Sequence, residues 1–171
     1  MGKYMLYENI ILKYDKLKYE GIIKKICNKL DKLSMEILDI DANFTYYNED
    51  DYYIIHNKNK SYGNNRLDLN FRLYFNMYED FGKKDFLYAY ILWFSVNPKK
   101  IGIGTKIISK IIDILKTLTD IEFIIIHPKD KEIKNFWIKN NFIEYNNKIY
   151  SDKRVVVNTR RILSYHIKEN Q

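Results

Sequence analysis

Apolar residues recur along the chain with two different periods, and the switches between those periods mark out the elements. From Lys16 to Leu33, the residues Leu17, Ile22, Ile23, Ile26, Cys27, Leu30 and Leu33 fall at helical spacing with lysines between them, which predicts an amphipathic helix. Residues 4–14 alternate loosely and suit a first strand. Met35 to Asp41, with Glu-Ile-Leu-Asp-Ile-Asp, alternates as a short strand would, and the polar, acidic stretch from Asn43 to Asp51 suits a loop. Tyr52 to His56 predicts a strand, closed by residues 57–65, where Gly63-Asn-Asn65 is a turn signal. Leu67 to Tyr78 alternates throughout, with Leu67, Leu69, Phe71, Leu73 and Phe75 on one face and Asp68, Asn70, Arg72 and Asn76 on the other, the pattern of a half-buried strand.

After a turn at Gly82-Lys-Lys84, Phe86 to Val96 is apolar on both faces and predicts a central strand. The chain breaks at Pro98, passes Gly102 and Gly104, and enters a second amphipathic helix carrying Ile107, Ile108, Ile111, Ile112, Ile114, Leu115 and Leu118. Glu122 to Ile126 is a short buried strand, which after a helical crossover runs parallel to its predecessor. Asp130 to Asn140 predicts a further helix, with Asp130 as N-cap and Asn141 in the left-handed position after it. Phe142–Tyr150 and Lys153–Leu163 read as two antiparallel strands that finish the sheet. No linker or repeat divides the chain. Residues 1–171 therefore form one α/β (α+β) domain, a mixed, mostly antiparallel twisted sheet flanked by helices.

Composition narrows the classes of function. Hydrophobic residues at 46% and aromatics at 16% specify a folded domain with a real core. No apolar run is long enough for a membrane helix, and the first residues lack the apolar block of a signal peptide. Position 6 is Leu6 where a myristoylation signal has Ser or Thr. Cys27 is the sole cysteine, so an internal disulfide is impossible and a cytoplasmic, reducing compartment is expected. His56, His127 and His166 have no metal-ligand spacing. The net charge of +7 invites a nucleic-acid partner, but nearly all of the 29 basic residues are lysines interleaved with isoleucines, the pattern of solvated helix faces.

The chemistry concentrates between Ser95 and Thr105. A strand that breaks and turns through Gly-x-Gly into a helix leaves unpaired backbone N–H groups at the positive end of the helix dipole, a device for holding a phosphate. A P-loop would need Gly-Lys-Ser/Thr at its end, and Gly104-Thr-Lys106 has neither that order nor that spacing. A Rossmann turn would need a third glycine where Ile107 stands. The order of strand, Val96-Asn-Pro98, Lys99-Lys-Ile-Gly-Ile-Gly104, helix and strand, followed by the helix with Phe136-Trp-Ile-Lys-Asn-Asn-Phe142, resembles the GNAT superfamily of acetyl-CoA-dependent N-acyltransferases. The resemblance is clearest over residues 86–145, with lysine at the first position of the pyrophosphate loop, Trp137 where the family has tyrosine and Asn141 where it has glycine. The loop between Pro98 and Gly102 is also about two residues shorter than is common in the family.

That resemblance implies the family's acyl-CoA N-acyltransferase fold, with a splayed pair of parallel strands. Acetyl-CoA would be the cosubstrate, and the acceptor a primary amine of a small molecule or protein. It implies cofactor binding by Phe94, Ser95 and Val96 at the strand end, by Lys99, Lys100, Ile101, Gly102, Ile103, Gly104 and Thr105 in the loop, and by Trp137. In such enzymes the amine attacks the thioester directly, and a backbone N–H near Val96 stabilises the oxyanion. Tyr88, Tyr90 and His127 are the catalytic candidates, each with a competing packing or loop-anchoring role. Trp137 either stacks on the cofactor or fills the core. Its indole cannot act as an acid near neutral pH, as the family's tyrosine does, so a catalytically weak or inactive CoA-binding module of the same fold is the alternative function. The acidic Glu49-Asp-Asp51 either attracts a cationic amine or is a solvated loop. Monomer and homodimer are both open.

Overall fold

The computed structural model describes residues 16–76, 85–99, 102–144 and 163–167. The first strand expected over 4–14, the turn at Gly82-Lys-Lys84 and most of the last two strands lie outside the described residues. Helix α1 (Lys16–Leu38) buries Tyr19, Ile23, Ile26, Cys27, Leu30 and Leu33 along one stripe, as the spacing predicts. It does not stop at Leu33. Met35 to Leu38 continue the helix and Leu38 is buried, so the strand expected over Met35–Asp41 does not form. Its apparent alternation is the last helical turn followed by Asp39 in the left-handed region (φ 54), whose N–H donates to the Met35 carbonyl at 3.0 Å.

The loop expected over Asn43–Asp51 is corrected as well. Phe44–Asn48 is strand β1, paired antiparallel with β2 (Tyr52–Asn57). Phe-Thr-Tyr-Tyr consists of residues that fit a pleated surface, and Phe44 is buried under α1 while polar neighbours mask the signal. Glu49 to Asp51 form the hairpin turn between these strands. A two-residue strand, β3 (Ser61–Tyr62), turns through Gly63 into β4 (Asn65–Phe75). β5 (Phe86–Asn97), α2 (Ile103–Leu118), β6 (Phe123–Ile126) and α3 (Lys131–Lys139) follow at the predicted places. β7 (Ile143–Glu144) and β8 (Leu163–His166) pair antiparallel.

The strand order is β1-β2-β4-β5-β6-β8-β7, with β3 on β4. Every pairing is antiparallel except β5 with β6, where α2 makes the crossover. The fold is therefore a mixed α+β domain with a mostly antiparallel sheet. Leu67, Leu69, Phe71, Leu73 and Phe75 of β4 join α1 and α2 in the main core. Tyr88 and Ile125 form a second cluster with Tyr74, Tyr90, Leu87 and Phe123. Because β4 and β5 alternate, this second cluster lies on the opposite sheet face. Among the described residues no helix is long and apolar enough to cross a membrane.

Candidate functional site

Two strands that run side by side stop doing so halfway along β5. The parallel ladder runs from Tyr88↔Phe123 to Ile91↔Ile126, where β6 ends, while β5 continues to Asn97 on β4 alone. Leu92 is an extra residue at this point, since Phe71 pairs with Ile91 and Asn70 with Trp93. Such a bulge bends a strand and increases its twist. The apolar sequence of β5 accordingly divides in two. Phe86, Tyr88, Ala89 and Ile91 are buried, whereas Trp93 is 46% exposed and Phe94 and Val96 are only partly covered. The flank of β5 beyond Ile91 has no strand against it among the described residues, so its backbone groups face an opening.

That opening is a cleft of about 580 Å³. Leu92 to Val96 of β5 form one wall. Gly102, Gly104 and Thr105 at the start of α2 form another, and His127, Pro128 and Lys129 after β6 lead to Glu132, Ile133, Phe136 and Trp137 of α3. Lys99, Lys129 and Lys139 stand around it with Glu132 as the carboxylate among the lining residues. The Lys129 ammonium lies 4.7 Å from the centre of the Trp93 ring, within cation–π range.

The two helices at the cleft begin differently. On α3, the Asp130 carboxylate accepts from the Ile133 N–H at 2.9 Å, and Glu132 adds a negative charge to the first turn. On α2, no side chain caps the N-terminus and no acidic residue lies in the first turn. Its first described intrahelical bond there is Lys106 N–H to the Gly102 carbonyl, 2.8 Å. The N–H groups of Ile103, Gly104 and Thr105 are thus the ones that helix geometry leaves open, at the positive end of the dipole. Gly102 has φ +97, a conformation that favours glycine, and among the described residues beyond its chain neighbours no atom lies within 4 Å of where its Cβ would stand. Gly104 answers to packing instead, since a Cβ there would meet the Phe136 ring at 3.2 Å.

The predicted site residues divide accordingly. Phe94, Ser95, Val96, Lys99, Gly102, Gly104, Thr105, Trp137 and His127 line one cleft. Ile103 packs against the main core, and Lys100 and Ile101 lie outside the described residues. Tyr88 and Tyr90 are not among the lining residues described. Tyr88 is buried, stacked between Tyr74 (4.5 Å between ring centres) and Phe123 (5.7 Å). Burial pushes the Tyr90 phenol above its ordinary pKa, against the opposing pull of the Arg72 charge, so it keeps its proton at neutral pH. Trp137 is 2% exposed and meets Phe94, Phe136 and Phe142 edge-on at 5.9, 5.2 and 4.9 Å. Glu49-Asp-Asp51 lies at the edge hairpin, with β2 and β4 between it and β5. Sequence reasoning missed Leu92, Trp93, Lys129 and Glu132.

No protein-family model matches the chain, and no curated protein matches it. Among solved structures, the crystal structure of anti-CRISPR protein AcrVA5 aligns at 13% identity with a TM-score of 0.34, covering 71% of this chain and 97% of that one.

Proposed function

We propose that the cleft binds acetyl-CoA and that the chain is an N-acetyltransferase of GNAT type acting on a primary amine. One observation carries this reading. The cleft opens where β5 parts from its parallel neighbour, and the uncapped N-terminus of α2 stands at that cleft. The donor set suits the cosubstrate. The N–H groups of Ile103 to Thr105 with Lys99 suit a diphosphate, and the open space at Gly102 leaves room for it. Phe94, Val96, Ile133 and Phe136 suit an apolar arm lying along the strand.

Acetyl-CoA would supply an activated acetyl group, and the work of the protein is to orient an amine and relieve it of a proton. The unpaired flank of β5 from Leu92 to Val96 offers main-chain donors and acceptors that hold a bound chain as a strand would. His127 lines the cleft and its imidazole can accept a proton from an amine, so it is assigned as the base; Glu132 is the other proton acceptor there. The raised Tyr90 is unsuited to that task.

Acetyl-CoA at about a hundred times its Kd stabilises by about 2.7 kcal/mol, roughly 5–10 °C in melting temperature for a chain of this size. Thiol release across an amine panel then reads transfer. No shift with acetyl-CoA would discard the cofactor assignment. The burial of Trp137 favours a second reading, a CoA-binding module without catalysis, since the indole supplies no proton to a departing thiolate. A thermal shift without thiol release from any amine would select it.

A further inference from the structure

On the sheet face away from the helices, four rings cross four strands in one row: Tyr52, Tyr74, Tyr88 and Phe123, with neighbouring centres 5.0, 4.5 and 5.7 Å apart. The next row pairs Arg72 of β4 with Tyr90 of β5, and the row after that pairs Asn70 with Trp93 at the edge of the cleft. Arg72 is the exceptional residue on this face. Its guanidinium carbon sits 4.7 Å from the centre of the Tyr52 ring, and Nη1 donates to the Tyr74 hydroxyl at a long 3.4 Å. No carboxylate pairs with it among the described residues, whereas Arg66 has Asp68 at 3.6 Å. Its Nε is buried without a hydrogen-bond partner, and so is Oδ1 of Asn70, two residues away on the same face. A half-buried guanidinium with one weak hydrogen bond to the described residues out of five donors is suited to an anion, because a fork of this geometry matches carboxylate or phosphate oxygens.

The position of this cation relative to the cleft defines what it would recognise. The Arg72/Tyr90 row lies two residues, about 7 Å, from the Asn70/Trp93 row along the strands. His127 comes directly after Ile126, the last residue of β6, and lines the cleft. We propose that Arg72 is the specificity-determining residue of the acceptor site, binding the anionic group of a small amine that carries a carboxylate or phosphate roughly 7 Å from its amino group. Tyr52, Tyr74 and Tyr90 wall the site with rings that exclude water and strengthen the ion pair. This assignment of the acceptor rests on the acetyl-transfer reading of the cleft, but binding of the anion can be measured without it.

The probes are 6-aminohexanoate, 4-aminobutyl phosphate and hexylamine, titrated into the whole chain while the Arg72 Nε–H resonance is followed by NMR. The two anionic amines should shift that resonance saturably and bind at least tenfold tighter than hexylamine, the tighter of the two identifying the natural anion. Arg72→Met should abolish the preference, and Arg72→Lys should keep part of it, since a point charge replaces the fork. Equal affinity for all three probes overturns the proposal, as does an undiminished preference in Arg72→Met. Should Arg72→Met fail to fold, the wild-type resonance and Arg72→Lys decide. The acetyl-CoA thermal shift on the same preparations separates the two readings. Arg72-dependent anion binding without an acetyl-CoA shift removes the cofactor assignment alone, and a shift without anion preference removes this one.

Discussion

The α-carbon of Gly104 packs against the ring of Phe136. A Cβ on Gly104 would lie 3.2 Å from Cε2 and 3.3 Å from Cζ of that ring, and 3.5 Å from Cγ1 of Val96. The start of α2 therefore touches α3 and the end of β5 through a position where even a Cβ would need the Phe136 ring to give way slightly. One glycine closes three elements around the cleft, while Gly102 before it supplies the left-handed turn that aims the helix N-terminus.

Gly104→Ala tests this contact. Alanine in a helix gains about 1 kcal/mol over glycine. The Phe136 ring must give way by a few tenths of an ångström, and as a partly covered side chain it can. The expected outcome is a stability within about 1 kcal/mol of wild type in urea denaturation, because the two effects oppose. Gly104→Val carries two more carbons into the ring and should cost about 2 kcal/mol or more. A valine variant as stable as the alanine one would show that the helices are not in contact there.

Asn57 holds the far side of the strand that supports the cleft. It is 1% exposed; its Nδ2 donates to the carbonyls of Asn59 (2.7 Å) and Leu67 (2.8 Å), and its Oδ1 accepts from the Leu69 N–H (2.9 Å). Leu67 and Leu69 pair with Val96 and Phe94, the cleft-lining end of β5. Asn57→Ala removes the partner of two buried backbone groups, the Leu67 carbonyl and the Leu69 N–H, and of the part-buried Asn59 carbonyl, and should cost about 2–4 kcal/mol. The same variant should speed amide exchange at Leu69 more than at Ile111 of α2. Uniform acceleration at both sites would mean that the loss is not local.

The long elements were legible because their periodicity persists. Ile107 to Leu118 keeps helical spacing over about three turns, and Leu67 to Phe75 alternates without a break. Short stretches were not. Met35–Leu38 offers too few residues to separate one helical turn from a strand, and Phe44–Asn48 is flanked by polar residues that outweigh it by count. The bulge at Leu92 has no signature at all, since every residue around it is apolar and a one-residue slip leaves the pattern unchanged. The cleft was half legible. Val96, Lys99 and Gly104 announce themselves in a contiguous motif, whereas Trp93, Lys129 and Glu132 reach it through the parting of β5 and β6, a tertiary event.

Cys27 gives a pH dependence with a defined sign. Burial, and then the Asp31 charge, push its thiol up to about 12. An unfolded cysteine loses its proton near about pH 8.5, so above that pH the unfolded state binds fewer protons than the folded one and stability falls. The contribution is fully present below that pH and disappears as pH rises through the folded value. Wild type should therefore lose roughly 1 kcal/mol more per pH unit than Cys27→Ala between about pH 9 and 11, measured by urea denaturation. Parallel pH profiles for the two proteins would show that the folded thiol titrates normally. In the same state the thiol should resist a disulfide reagent at pH 8 until urea unfolds the chain.

Residue 137 separates packing from proton supply. The indole of Trp137 is enclosed by Phe94, Phe136 and Phe142, so Trp137→Ala should cost about 3–5 kcal/mol and Trp137→Phe about half of that. Phenylalanine and tyrosine differ at this position by one hydroxyl, and that hydroxyl can donate a proton where phenyl and indole cannot. If the cleft transfers acetyl groups, Trp137→Tyr should exceed Trp137→Phe in kcat by at least about a hundredfold, the low end of what a positioned acid contributes. Both variants should melt within a few degrees of each other, which removes stability as the cause. A kcat ratio near one at equal melting temperature would assign residue 137 to the core alone and leave protonation of the departing thiolate to water.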